Sequence, residues 1–201
     1  MPGAPALHIL LLAAGASSRM RGRDKLLERI DATPQLTRIA TAAQATGCPV
    51  WVALAPDKPA RTAALDGLAL RLITVPNPGL GLSASLAAGL QIIPPQASVM
   101  MLLADLPEIE AADLITVASH QAKYPGDILR ATATDGRFGH PVVFPPWARA
   151  HLGALQGDTG AREFLARHTD RTRPVPLPAA HATTDLDTPE DWAEWRGRTG
   201  R

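Results

Sequence analysis

The chain has 201 residues, of which 46% are hydrophobic, and its net charge at pH 7 is +1. This length is enough for one α/β domain with a core of its own. The near-neutral charge and an aromatic content of 4% argue against a nucleic-acid-binding protein, so any anion site must come from a local cluster. Because Cys48 is the only cysteine, an intrachain disulfide and a cysteine metal cluster are excluded.

Apolar runs alternate with helical patterns along the whole chain, which predicts βαβ units and a mostly parallel sheet. The predicted strands are His8–Ala13, Val50–Ala55, Leu70–Val75, Ser98–Ala104, Asp127–Thr132, Pro141–Phe144 and Arg173–Leu177. The predicted helices are Gln35–Ala45, Pro59–Ala64, Ser83–Ile93, Ala111–Lys123, Ala161–His168 and Thr188–Arg196.

Three other stretches have expected roles of their own. The apolar run at His8–Ala13 is too short to span a bilayer and lacks the basic segment of a signal peptide, so we expect a cytoplasmic protein with no membrane partner. The segment Thr132–Pro146, rich in glycine, proline and charge, is expected to form a substrate-facing hairpin or a lid. Arg196–Arg201 is expected to be a frayed basic tail.

The stretch Leu10–Leu27 is the most informative, because a predicted buried strand opens there into small residues followed by cations. Small side chains let backbone N–H groups approach a phosphate, and cations neutralise it. The P-loop pattern and the dinucleotide-binding glycine pattern are both absent. From these residues alone, a phosphate cradle and a tight surface turn with solvated charges remain equally good interpretations. The cations are Arg19, Arg21, Arg23 and Lys25.

Two further segments should lie at the same edge of the sheet, because parallel strands place their carboxyl ends together. Ser83 is a plausible helix N-cap, and capping alone would explain it. Asp105 follows a buried strand, where a carboxylate can bind a metal or can cap the helix near Glu110.

A third segment, which contains two acids, precedes the last predicted helix. Thr188, Pro189 and Asp191 read as a helix start, with a cap, a first-turn proline and an acid three residues after the cap. That pattern does not explain Asp185 and Asp187, which come just before the cap.

The whole loop sequence resembles the signature loop of the MobA-like nucleotidyltransferases, and within that family most closely that of the molybdenum cofactor cytidylyltransferases. Arg21 departs from the pattern, since the family often has a glycine there, and it could narrow the loop or contact a phosphate. Later segments of the chain resemble family motifs in the same order. They begin at Gly81, Asp105, Gly139, Gly157 and Asp185. The matching loop residues are Leu12, Ala13, Ala14, Gly15, Arg19, Met20, Gly22, Lys25 and Leu26.

The resemblance implies a fold and a reaction. The fold is a single Rossmann-like three-layer α/β domain of the nucleotide-diphospho-sugar transferase type over residues 1–201. Its nucleotide-binding half covers about residues 1–107 and its acceptor-binding half about residues 108–201. The reaction is transfer of CMP from CTP to the terminal phosphate of the molybdopterin cofactor, with release of pyrophosphate. A client molybdoenzyme or its chaperone is a further expected partner, and no catalytic histidine is expected.

The resemblance also assigns the site residues. Arg19 and Lys25 are the catalytic cations. Mg²⁺, with Mn²⁺ as the alternative, is held by Asp105 and Asp187, with Asp185 as a weaker candidate for the second ligand. His140 and Asp158 face the acceptor, although a histidine between glycine and proline is more often structural and Asp158 can simply cap a helix. The nucleotide-binding residues are Leu12, Ala13, Ala14, Gly15, Arg19, Lys25, Gly81, Ser83 and Ser85.

Base choice and acceptor identity stay open at this level. The family's guanylyltransferases tend to have glycine where this chain has Ala14, and a methyl group there could exclude a purine. The alternatives are a nucleotidyltransferase that uses GTP or a sugar or alcohol phosphate acceptor, and a non-catalytic protein that carries the nucleotide or cofactor.

Overall fold

The computed structural model describes residues 6–153 and 159–201. Within these ranges, no helix combines the length and the apolar character needed to cross a bilayer. The strands are β1 (Leu7–Ala13), β2 (Arg29–Ile30), β3 (Thr33–Pro34), β4 (Val50–Leu54), β5 (Arg71–Thr74), β6 (Ser98–Leu103), β7 (Ile128–Thr132), β8 (Phe138–Phe144) and β9 (Thr172–Pro176). The helices are α1 (Gln35–Gln44), α2 (Pro59–Ala63), α3 (Leu82–Ile92), α4 (Ala111–Lys123), α5 (Arg149–Leu152), α6 (Thr159–Arg167) and α7 (Pro189–Thr199).

Seven of the strands form one sheet in the order β5-β4-β1-β6-β8-β7-β9. Strand β8 runs antiparallel to both of its neighbours, and the other pairs are parallel. The prediction of a mostly parallel sheet with flanking helices is therefore confirmed. Strands β2 and β3 form a separate two-stranded ribbon, which lies directly after the predicted phosphate loop.

The sheet is central because its strands are apolar on both faces. All seven residues of β1 are buried, as expected for a parallel strand with helices on both sides. Alternate residues enter two different cores: Ile9 and Leu11 pack with residues of α1 and α4, whereas Leu10 and Leu12 pack with residues of α3, α5 and α6. Burying each leucine side chain of this kind contributes roughly 1.5–3 kcal/mol, so β1 anchors all three layers.

Helix α7 is held by a third, smaller apolar cluster. Trp192 and Trp195 of the helix pack with Met20 of the loop after β1, with Ile30 of β2 and with Leu186. The start of the helix is the predicted one, with Thr188 as the N-cap and Asp191 completing a reciprocal capping box. The C-terminal helix is thereby joined to the loop that the sequence identified.

Some predictions about the elements are wrong in instructive ways. Ser83 is not an N-cap: Gly81 takes that position, and the Ser83 hydroxyl donates to the Leu80 carbonyl at 3.3 Å. The tail after Arg196 is not frayed, because α7 continues to Thr199 and Arg198 forms an ion pair with Glu108.

The segment from residue 132 to 146 forms the hairpin of β7 and β8, and β8 begins three residues before its predicted start at Pro141. The elements that sequence analysis missed, β2, β3 and α5, have two to four residues each. Elements of that length carry too little periodicity to detect.

Candidate active site

A cavity of about 490 Å³ lies at the carboxyl ends of β1 and β6. The loop after β1, the start of α3, the end of β6 with Asp105, and the segment before α7 all contribute to its wall. This is the edge where ligands bind in open α/β sheets. The lining residues are Leu12, Ala14, Gly15, Arg19, Lys25, Leu26, Pro78, Gly81, Leu82, Ser85, Leu103, Asp105, Arg162, Asp185 and Asp187.

The loop after β1 has two non-glycine residues in the left-handed region, Ser17 at φ 56° and Arg21 at φ 52°. At Arg21 this conformation suits a glycine, which is the residue that the family often has there. The Arg21 guanidinium contacts Glu190 of α7 at 2.7 Å, and both side chains are mostly exposed. Arg21 is not among the residues that line the cavity.

Lys25 links the two acids that sequence analysis selected as metal ligands. Its Nζ lies 2.6 Å from Asp105 Oδ2 and 2.7 Å from Asp187 Oδ1, and the three side chains are 14–20% exposed. Burial by itself lowers the pKa of the Lys25 ammonium, but the two carboxylates outweigh burial and raise the pKa above its ordinary value. Arg19 reaches the other oxygen of Asp187 at 2.6 Å. The predicted catalytic cations and metal acids therefore form one cluster.

Local structure explains why the acids point to Lys25. Asp105 is the second residue after β6, so the strand fixes its position. Asp187 precedes the cap of α7, and its backbone N–H donates to Asp191 Oδ2 at 3.1 Å, which also accepts from Thr188 N–H at 2.8 Å. The same cap that starts the helix thus holds the second acid.

The donor set fits a divalent cation. Asp105 Oδ1 is buried and has no hydrogen-bond partner among the described residues, so it is available as a ligand. Asp185 lines the same cavity, and burial, followed by the charges of Asp105 and Asp187, raises the pKa of its carboxyl. Within the described ranges no three acids or histidines converge on one metal position. Phosphate oxygens and water would complete the ligand shell, as Mg²⁺ prefers.

The start of α3 forms the wall opposite these charges. Gly81 has φ +81°, which favours glycine, and it lines the cavity together with Leu82 and the buried Ser85. The positive end of the helix dipole therefore faces the cavity. Ser83 and Ala13, also predicted to bind nucleotide, are not among the lining residues, and the Ala13 carbonyl accepts a hydrogen bond from Arg61.

His140 lies on β8, beside the cavity but outside its lining. Burial, and next the Arg130 cation, lower its pKa to about 4, although the Asp105 carboxylate and a hydrogen bond to the Met101 carbonyl act the other way. Its Nδ1 is buried and unpartnered among the described residues. A neutral ring of this kind can bind a ligand hydrogen-bonding group but does not act as an acid near pH 7.

The hairpin that carries His140 is seated against the segment before α7. The His140 N–H donates to the Ala182 carbonyl at 2.8 Å. A Cβ at Gly139 would lie 1.8 Å from that carbonyl oxygen, so only glycine allows this approach. Asp158, the other residue assigned to the acceptor, lies outside the described residues.

Sequence analysis did not select three arginines around the site, although Arg162 ends the segment from Gly157 that resembles a family motif. Arg162 of α6 lines the cavity, and Arg130 of β7 stacks over the Phe138 ring, with 4.9 Å between Cζ and the ring centroid. Burial, and next the Arg162 charge, lower the pKa of Arg130. No carboxylate of the described residues forms an ion pair with either. The third, Arg61, is fully buried beneath the loop. No local pattern marks Arg61, because its partners are distant in sequence.

Residues 9–172 match the family model described as the MobA-like NTP transferase domain. The chain belongs to this family. It is therefore a nucleotidyltransferase, and the resemblance drawn from the loop and its companion segments is confirmed at the family level.

Named relatives and solved structures agree with this assignment. A protein of Synechococcus elongatus named probable molybdenum cofactor guanylyltransferase is 28% identical over 194 residues, which cover 90% of this chain and 94% of the relative. The crystal structure of Rv0371c from Mycobacterium tuberculosis is 25% identical, with a TM-score of 0.83 and coverage of 95% of this chain and 97% of that one. A complex of the same mycobacterial protein with manganese is 24% identical, with a TM-score of 0.77 and coverage of 94% and 97%.

Proposed function

We propose that the protein transfers a cytidylyl group from CTP to the terminal phosphate of the molybdopterin cofactor and releases pyrophosphate. The observation that carries this proposal is the bridge from Lys25 to Asp105 and Asp187, with Arg19 beside it, at the edge where such sheets bind ligands. Cations for phosphates and carboxylates for a metal are the two components that nucleotidyl transfer requires.

The proposed reaction is an in-line displacement at the α-phosphorus of the nucleotide. An oxygen of the acceptor phosphate forms a bond to that phosphorus, and the bond to the bridging oxygen of the β-phosphate breaks. The acceptor is already an anion, so no protein nucleophile or base takes part. Arg19 and Lys25 stabilise the negative charge that develops on the leaving pyrophosphate.

Asp105 and Asp187 would hold the divalent cation, with Asp185 within the same cavity. Mg²⁺ bound there supplies charge neutralisation on the phosphate oxygens of the nucleotide. Mn²⁺ is a second possible occupant, which the manganese complex of the mycobacterial neighbour supports. The chain's own task is to present two carboxylates at a fixed spacing and to hold both substrates.

We assign acceptor binding to Arg162, which lines the cavity, and to His140 and Arg130 outside the lining, with Asp158 as a further candidate from sequence. A pair of guanidinium groups without a carboxylate partner in the described residues suits a bound phosphate. The neutral, unpartnered His140 Nδ1 suits a hydrogen-bond donor of the acceptor. This combination favours a phosphorylated acceptor with additional polar groups.

The choice of CTP is supported by Ala14, a buried residue whose side chain lines the cavity. A methyl group there reduces the room for a base, which disfavours a purine. GTP is the second candidate, because the cyanobacterial relative is named as a guanylyltransferase. Transfer from CTP and transfer from GTP follow the same phosphate chemistry, and the two reactions differ only in the base that the protein must bind.

Pyrophosphate release in the presence of Mg²⁺ and molybdenum-loaded molybdopterin tests the proposal, with CTP, GTP and ATP assayed in parallel. Release with CTP alone is the expected result. Release with GTP alone would support nucleotidyl transfer to molybdopterin but would reject CTP as the nucleotide donor. A folded protein that binds nucleotide but releases nothing with this acceptor would point to another phosphorylated acceptor or to a carrier.

Asp105→Asn separates the enzyme from a carrier. In an enzyme this change should lower the rate of pyrophosphate release by roughly 10²–10³-fold, because a metal ligand is lost. In a carrier there is no release to lose.

A further inference from the structure

The loop after β1 is held from below by one side chain. Arg61 of α2 is 0% exposed. Its Nη1 donates to the Ala13 carbonyl at 2.6 Å and its Nη2 to Ser17 Oγ at 3.0 Å. Its Nε and Nη2 donate to the two oxygens of Asp24 at 2.7 and 2.9 Å. A single guanidinium therefore binds the last residue of β1, Ser17 within the loop, and Asp24, the residue before Lys25.

Asp24 connects Arg61 to the short turn that carries Lys25. The Asp24 Oδ1 atom accepts from the Leu26 N–H at 3.0 Å and so caps the short turn that begins with Lys25. Burial by itself would raise the pKa of the Asp24 carboxyl, but Arg61 outweighs burial and holds it below its ordinary value. The orientation of the turn that carries Lys25 thus depends on the Arg61–Asp24 pair.

The loop needs such a support because its backbone is unfavourable without one. Ser17 is in the left-handed region at φ 56°, a conformation that non-glycine residues rarely adopt unless their surroundings hold them there. The Ser17 hydroxyl donates to Asp24 Oδ1 at 3.2 Å and accepts from Arg61, so the strained residue is tied to the same pair. A lysine could supply the charge of Arg61 but not its fork of donors.

We propose that Arg61 is a positioning residue for the nucleoside triphosphate: through Asp24 and Ser17 it fixes the loop and directs Lys25 to the phosphates. The proposal rests on the proposed function only for the identity of the ligand. Arg61 itself, fully buried below the loop, does not line the cavity.

The test is equilibrium titration of a fluorescent CTP or GTP in Mg²⁺, with wild type, Arg61→Lys, Asp24→Asn and the double variant. Thermal unfolding of each protein gives its folded fraction. The matched control is the ion pair of Arg173 and Asp127 near the far edge of the sheet, where Arg173 Nε donates to Asp127 Oδ2 at 2.8 Å. The control variants are Arg173→Lys and Asp127→Asn.

Each single variant is expected to raise the Kd for the triphosphate about 10-fold or more, and the double variant no further, because both changes remove one interaction. The control variants should stay within about 2-fold of wild type. Three results would overturn the proposal. The first is an affinity loss in the double variant that equals the sum of the two single losses, and the second is an unchanged Kd in folded Arg61→Lys. The third is an affinity loss that follows the unfolded fraction of each variant.

Ser17→Ala keeps the test decisive if the other variants fail to fold. It removes the hydrogen bonds of Ser17 to Arg61 and Asp24 and leaves the ion pair, so the Kd should rise by roughly 2–5-fold in protein that is still folded at the assay temperature. An unchanged Kd there would count against positioning. Wild type that binds triphosphate but transfers nothing rejects the proposed function and leaves the role of Arg61 intact, whereas wild type that binds no triphosphate rejects both.

Discussion

At the scale of single residues, Lys25 is the position on which the site depends most. It is mostly buried between two carboxylates, of which Asp187 also pairs with Arg19 and Asp105 has Lys25 as its ion-pair partner in the described residues. Lys25→Met should lower kcat/KM for the nucleotide by about 10²–10³-fold and reduce the unfolding free energy by about 1–2 kcal/mol, since Asp105 loses its partner and Asp187 loses one of two. Steady-state kinetics and urea unfolding measure the two effects. An unchanged kcat/KM would contradict the assigned role.

We expect Ala14 to affect a different property, the choice of base. Ala14→Gly removes the methyl group from the cavity wall and should shift the ratio of kcat/KM for CTP and GTP towards GTP by about 10-fold, within the range for one methyl group. Ala16→Gly, an exposed change in the same loop, is the control. A ratio that does not move in Ala14→Gly but moves in Ser85→Ala would assign base choice to α3 instead.

His140 makes stability depend on pH. The buried ring has a pKa of about 4 in the folded protein, against an ordinary value of 6.5. Between these values the unfolded chain binds more protons, so the free energy of unfolding falls as the pH is lowered from 6.5 towards 4. His140→Gln should remove on the order of 1–3 kcal/mol of that fall. Urea unfolding at pH 7 and 4.5 tests this, and identical pH dependence in both proteins would refute it.

At the scale of elements, α7 links the C-terminal end of the chain to the loop after β1. Trp195 is 2% exposed, and its Nε1 donates to Glu108 Oε1 at 3.0 Å. Trp195→Ala should reduce the unfolding free energy by about 3–5 kcal/mol and raise KM for the nucleotide, because Asp187 lies just before the helix. Arg167→Ala, which removes an exposed pair with Glu163, should change stability by about 0.5 kcal/mol or less. Equal effects of the two variants would contradict the role of α7.

The same scale shows what sequence can and cannot reveal. The seven strands of the main sheet were predicted because continuous apolar runs between turn residues are a local signal. Lys25, Asp105 and Asp187 were assigned to one site through the family resemblance, because each lies in a segment that resembles a family motif. Arg61 was not, since its partners Ala13, Ser17 and Asp24 are 37–48 residues away along the chain and no spacing reveals them. The start of β8 was missed because Gly139 and Pro141 flank His140 and read as a loop.

At the scale of the whole molecule, the expected nucleotide and acceptor halves share one sheet. Strand β6 of the first half pairs with β1 on one side and with β8 of the second half on the other. We propose that residues 1–201 form one folding unit. A fragment of residues 1–107 exposes one edge of β6 and lacks its α4, α5 and α6 cover, so it should show no cooperative unfolding transition by circular dichroism. A sharp transition in this fragment would show two domains.

The lysine bridge has a consequence for how substrates are admitted. Its ammonium group is a tethered competitor of any divalent cation, because it already lies between Asp105 and Asp187. A free metal ion would have to displace this ammonium group and would gain no phosphate ligand in return. On the proposed function, a nucleoside triphosphate would offer Lys25 and Arg19 new anionic partners while its own cation binds the acids. We therefore expect the protein to bind the nucleotide–metal complex more tightly than either the metal or the nucleotide alone.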